Sequence, residues 1–153
     1  MTDPTIEAAR DILDEALDAM RASIAGATPD ELNRRPGDDD TNSIAVLATH
    51  SMHSTRWWLH VVMGVEPPAR DRPSEFLATA AGADELLSFF DEMAADCRAA
   101  LDTDAGFDGG ALRERDADET VTAAWALLHA LEHLREHVGH MQLTRQLQAF
   151  NGA

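Results

Sequence analysis

In four separate stretches of this chain, apolar residues recur three and four positions apart, and that spacing limits the fold more than any other feature. From Pro4 to Ala25, Ile6, Leu13, Leu17, Met20 and Ile24 form one stripe, while Asp11, Glu15 and Arg21 fall elsewhere. From Asn42 or Ser43 to about Met63, Val46, Leu47, His50, Trp57, Trp58 and Val61 share a broad face, with His53 and His60 beside Arg56 on a more polar side. From about Ala83 to Leu101 the stripe is Leu86, Phe90, Met93, Cys97 and Leu101, and the last helix is expected from about Glu119 to Ala149. Four amphipathic helices, with no convincing strand alternation and no internal repeat, are most simply satisfied by an all-α four-helix bundle.

The punctuation agrees with this reading. Asp3-Pro4 suits a helix start, and Thr28 with Glu31 makes a capping box that opens a short helical turn. The Pro36-Gly37-Asp38-Asp39-Asp40 run ends regular structure, and Gly64 with Pro67-Pro68 stops the second long helix. Glu66 to Gly82 reads as a long connection with at most a short helix around Ser74 to Thr79, and Asp102 to Asp118 as another. At 153 residues the chain has material for one core, so residues 1–153 are expected to form a single domain.

Charge narrows the function. With 28 acidic residues against 12 basic ones, every basic one arginine, the formal charge is -16. Such a surface repels phosphate backbones and anionic lipids, so neither nucleic acid nor a membrane is an expected partner. The composition also suits high salt, where the charges are screened. No apolar run reaches bilayer-spanning length and no basic flank marks a leader at Met1–Ile6, which makes the cytoplasm the expected location. The lone cysteine, Cys97, lies in an apolar stripe and reads as core.

Histidine placement carries the chemistry. His129, His133, His137 and His140 project within an arc of about 80° on an ideal helix. A pair four residues apart can turn two imidazoles toward one point, and His133 with His137 fits best because Ala130, Leu134 and Met141 flank it. His129 with His133 has the same spacing. Two imidazoles bind a divalent ion weakly, so a third ligand must come from another element. His50, on the apolar face of the second long helix, is the leading candidate, with His53 a minor alternative. Neutral imidazoles suit zinc or nickel, with iron or cobalt also compatible, rather than magnesium or calcium. Glu132 reads as a surface charge, and Glu136 as either that or an orienting partner for an imidazole. His133-Leu-Arg-Glu-His137 is not a zincin motif, because Leu134 stands where that motif needs its general base. No residue is singled out as catalytic.

Taken in order, Glu31-Leu32-Asn33-Arg34-Arg35-Pro36, Asn42 through His50, Arg56-Trp57-Trp58-Leu59 and Leu128-His129 through His140 resemble the DinB-like superfamily, which includes thiol-dependent transferases and domains of unknown function. The resemblance spans nearly the whole chain. It implies a bundle in up-down-down-up order, often a homodimer, with a metal held by His50, His133 and His137. His140 departs from the pattern, standing where many relatives carry glutamine, so it and His129 remain alternates. The resemblance further implies a metal-dependent S-transferase or isomerase acting with mycothiol or bacillithiol on a small-molecule substrate. Arg56 and Arg135 are the candidates to contact the carboxylates of a low-molecular-weight thiol. A hydrolase of a small molecule, or a non-enzymatic metal-binding bundle associated with stress, could use the same scaffold.

Overall fold

The computed structural model describes residues 3–102, 106–116 and 118–151. Helix α1 (Pro4–Ile24) begins where Asp3 accepts a hydrogen bond from the Thr5 amide at 2.7 Å, with Pro4 in the first turn. The one-turn α2 (Pro29–Asn33) has the expected capping box: the Thr28 amide donates to Glu31 Oε2 at 2.7 Å, and the Glu31 amide donates to Thr28 Oγ1 at 3.2 Å. Helix α3 (Ile44–Met63) is capped by Ser43 and ends at Gly64, whose φ of 68° is a conformation that side chains with a Cβ rarely adopt. Two further helices follow, the one-turn α4 (Arg72–Glu75) and α5 (Ala83–Asp102), and the chain closes with α6 (Ala123–Asn151).

Cross-helix contacts fix the directions of the four long helices. Arg10 donates to the Leu101 carbonyl, Arg98 pairs with Asp14 and Arg21 with Asp91, so α1 and α5 run antiparallel. His53 meets Phe89 while Arg56 reaches Met93 and Asp96, so α3 and α5 run parallel. Trp58 meets Trp125 and His129, whereas His50 meets His133 and His137, which makes α3 and α6 antiparallel. The order is up-down-down-up, as expected. Helices α1 and α3 each pack against both α5 and α6 and lie across the bundle diagonal from one another. A chain that crosses a diagonal, as from α1 to α3, or that joins parallel neighbours, as α3 to α5, cannot use a two-residue turn, which accounts for the long connections.

The expected stripes are the core. Ile6, Leu13, Leu17, Met20 and Ile24 join Leu86, Phe90, Met93, Cys97 and Leu101, together with Ala126, Leu127, Ala130, Leu134 and Met141 of α6. Cys97 is fully buried, and burial pushes its thiol up to about 12, so it offers no accessible thiolate. Of the adjacent tryptophans, Trp58 is buried and Trp57 only half-buried. No described helix is long and apolar enough to cross a membrane.

One expectation needs correction. The segment before α6 is not purely a loop: β1 (Leu112–Asp116) pairs antiparallel with β2 (Glu119–Thr122), with Leu112 opposite Thr122 and Arg113 opposite Val121. Consequently α6 begins at Ala123 rather than Glu119. The hairpin is exposed on most of its length and has no apolar face for sequence alternation to reveal. It is tied to the bundle by Arg113, whose Nε donates to the Val62 carbonyl at 3.1 Å, and by the partly buried Val121, which packs against the core. Part of the expected 102–118 connection, residues 103–105 and 117, lies outside the described residues.

Candidate metal centre

Antiparallel packing of α3 on α6 sets His50 opposite a helical i, i+4 pair, His133 and His137. Each of the three offers a ring nitrogen, and these atoms lie within 4.8 Å of one another. His133 Nε2 and His137 Nε2 are 3.2 Å apart, with their rings edge to face at 4.4 Å. Two nitrogens on one tetrahedral zinc, each at about 2.0–2.1 Å, would stand about 3.3–3.4 Å apart. The pair therefore has the spacing that a shared ion requires, and His50 closes the third side with ring centroids 5.3 and 5.2 Å from those of His133 and His137.

His50 is held by a residue that the sequence reading passed over. Glu75, 3 % exposed at the end of α4, has Oε2 at 2.8 Å from His50 Nδ1. Arg70 grips the same carboxylate, with Nε to Oε1 at 2.9 Å and Nη2 to Oε2 at 2.7 Å. Burial pushes Glu75 upward, but the bonds from Arg70 and His50 outweigh it and hold the carboxyl below its usual range. An ionised Glu75 can only accept, so His50 Nδ1 carries the proton. The lone pair of its Nε2 is then free for the histidine cluster. Phe76 covers the same imidazole at 4.6 Å.

The histidines of α6 are built differently. Nδ1 of His133 and Nδ1 of His137 are buried with no hydrogen-bond partner among the described residues. Burial, then the nearby His137 and His50, pulls His133 down to about 3, while burial, then His50, pulls His137 down to about 4. His50 is also lowered, burial outweighing the opposing pull of Glu75. The cluster is thus a set of neutral imidazoles at neutral pH, the protonation state that a cation needs. The donor chemistry and the spacing both fit a divalent ion of the zinc or nickel kind.

Other expected residues fall outside this cluster. His129 stacks on Trp125 at 4.8 Å, with its ring 5.9 Å from His133; the exposed His140 is 5.7 Å from His137. His53 lies against Phe89, and His60 Nδ1 is 2.8 Å from the Arg56 carbonyl. Arg56 pairs with Asp96 at 3.1 Å in a cavity between α3 and α5, and Arg135 is exposed, as are Glu132 and Glu136.

A family model described as mycothiol-S-transferase matches residues 8–149. Among solved structures, the crystal structure of the conserved protein of locus from Enterococcus faecalis superposes with a TM-score of 0.76 at 18% identity, covering 96% of this chain and 98% of that one. A histidine-to-alanine mutant of the mycothiol-dependent maleylpyruvate isomerase superposes with a TM-score of 0.65 at 14% identity, covering 87% of this chain and 59% of that one. At these identities the two structures share the fold. No curated protein matches by sequence.

The geometry sets two expectations. Glu75→Gln, which leaves the bundle helices untouched, is expected to weaken zinc or nickel binding by roughly 10–100-fold in a competitive chelator titration. An affinity within twofold of the parent would show that the carboxylate does not orient His50. The second concerns pH. Lowered folded-state values mean that His133 and His137 stay neutral while pH falls from 7 to 5.5, where ordinary imidazoles near pH 6.5 would take up protons. Zinc affinity is therefore expected to fall less than about tenfold across that window, whereas three unperturbed imidazoles would lose several-hundredfold, on the order of eightfold each. A loss of the larger size would contradict the assigned burial.

Proposed function

The chain belongs to the mycothiol-S-transferase family, a DinB-like family, and from that premise we propose that it is a divalent-metal-dependent enzyme that transfers a low-molecular-weight thiol of the mycothiol type onto a small electrophile. In this reading His50, His133 and His137 hold the ion. The observation that carries the proposal is the convergence of three neutral imidazoles with no fourth histidine, cysteine, aspartate or glutamate in the group among the described residues. A site closed by four protein ligands would serve structure; one with three leaves a position for an exogenous ligand.

A divalent ion bound there would lower the pKa of a coordinating thiol and favour its thiolate, the form that attacks electrophiles. The residues of the chain do the rest. Glu75 keeps the proton on His50 Nδ1, so that Nε2 faces the cluster. Phe76 and Trp58 shield the imidazoles from bulk water, against His50 and His129 respectively. Cys97 is buried and cannot supply the nucleophilic sulfur, so that sulfur must come from the co-substrate. In the transfer, sulfur forms a bond to an electrophilic carbon as that carbon's bond to the leaving group breaks; the leaving group takes the electron pair, and the thiol proton passes to it or to solvent.

The test begins with metal analysis of protein purified without an affinity tag, alongside His50→Ala and His137→Ala, followed by thiol consumption with mycothiol, bacillithiol and glutathione against a panel of electrophiles. The expected result is stoichiometric metal in the parent, loss of metal in both variants with helicity retained, and turnover abolished by chelator. Metal binding without metal-dependent turnover of any thiol would refute the transferase reading and favour a binding bundle.

A further inference from the structure

In a chain of formal charge -16, three arginines converge on one shallow, open cavity of about 300 Å³. Arg70, Arg72 and Arg115 line it with Trp57, Trp58 and Asp116. They arrive from three elements: the connection after α3, the first position of α4, and the hairpin strand β1. The hairpin therefore forms a wall of this cavity.

The charges are not equally committed. Arg70 is neutralised by Glu75. Arg115 lies over the Trp125 ring at 5.4 Å and meets Glu119 at 3.1 Å in an exposed pair, which solvent weakens. The guanidinium of Arg72 lies over the Phe76 ring at 5.3 Å and has no ion-pair partner among the described residues. With Arg70 paired to Glu75 and Arg115 to Glu119, the guanidinium of Arg72 is the cationic group of the lining without an ion-pair partner among the described residues, and one such group suits a monoanion better than a phosphate dianion. The indoles of Trp57 and Trp58, edge to face at 5.0 Å, add flat apolar surface for a carbon skeleton.

Two shared walls join the cavity to the cluster. Arg70 lines the cavity and bonds Glu75, which bonds His50; Trp58 lines it and touches His129, whose ring neighbours His133. A molecule seated there is separated from the three imidazoles by Arg70 and Glu75 on one side and by Trp58 and His129 on the other. With a thiol that carries no free carboxylate, such as mycothiol, an anion in this cavity belongs to the second substrate.

We propose that this cavity is a carboxylate subsite that selects the electrophile, with Arg72 and Arg115 binding the carboxylate and Trp57 and Trp58 packing against an unsaturated or aromatic body. The assignment of the carboxylate to the electrophile rests on the thiol-transfer reading, whereas carboxylate binding itself does not. The guanidinium fork supplies paired donors in the plane of the carboxylate, which neither lysine nor an amide reproduces.

The experiment is a titration of the full chain, as purified and again after removal of metal, with benzoate and with its uncharged analogue benzamide, read by tryptophan fluorescence and calorimetry. Benzoate is expected to bind both forms saturably and at least about tenfold more tightly than benzamide, a difference of about 1.4 kcal/mol. Arg72→Met, at an exposed position, is expected to remove most of that preference while leaving benzamide within twofold, and His137→Ala, which lies outside the Arg70–Glu75–His50 unit, to leave benzoate binding intact. Equal binding of the two probes, or a preference unchanged in Arg72→Met, would overturn the subsite. Benzoate binding that disappears with the metal or in His137→Ala would also overturn it, because the carboxylate would then sit on the ion. The titration needs neither thiol nor turnover, so its failure and failure of the transferase assay are separate results.

Discussion

Glu75 is a buried carboxylate in a helical bundle, and the arrangement of the candidate site follows from how that charge is accommodated. An isolated buried carboxylate would cost several kcal/mol and would protonate instead. Here Arg70 meets both oxygens and His50 meets one, which keeps the group ionised. The ionised form in turn dictates the histidine tautomer, and the tautomer directs Nε2 of His50 toward α6. Replacing any member leaves another buried polar group unpartnered, so the three behave as one unit.

The unit depends on the bundle's connectivity. An up-down-down-up order requires the chain to travel between helices that are not antiparallel neighbours, and the segment between α3 and α5, which run parallel, must return along their full length. That segment carries Arg70, Arg72 and Glu75, with Asp71 capping the single turn of α4 through the Ser74 amide. A minimal antiparallel turn would leave no chain to place a carboxylate behind His50. The second long connection supplies the hairpin and, with it, Arg115. Both long connections thus furnish walls for the region around the histidines, while the long helices furnish the imidazoles.

Much of this was legible in the sequence because it is periodic. The four apolar stripes, the caps at Asp3, Thr28 and Ser43, and the burial of Cys97 all follow from spacing and local chemistry. The histidine stripe on α6 was visible too, but spacing treats His129–His133 and His133–His137 alike. The packing of α3 places His50 against the second pair. Glu75 left no readable signal: it lies 25 residues from His50 in a stretch without periodicity, one acid among 28. A Pro-Ser-Glu turn after Asp71 was a local clue to α4, yet nothing local tells which acid turns inward. The hairpin escaped because both of its faces are largely polar, so its Thr-Val-Thr strand was absorbed into the approach to α6.

The central claim is that three imidazoles hold an ion that still accepts the sulfur of a thiol. X-ray absorption on zinc-loaded protein, before and after addition of mycothiol, tests it most directly. The account predicts a first shell of nitrogen and oxygen scatterers at about 2.0–2.1 Å, of which three fit as imidazole, and the appearance of one sulfur scatterer at about 2.3 Å when the thiol is added. A first shell already closed by four protein ligands and unchanged by the thiol would contradict it.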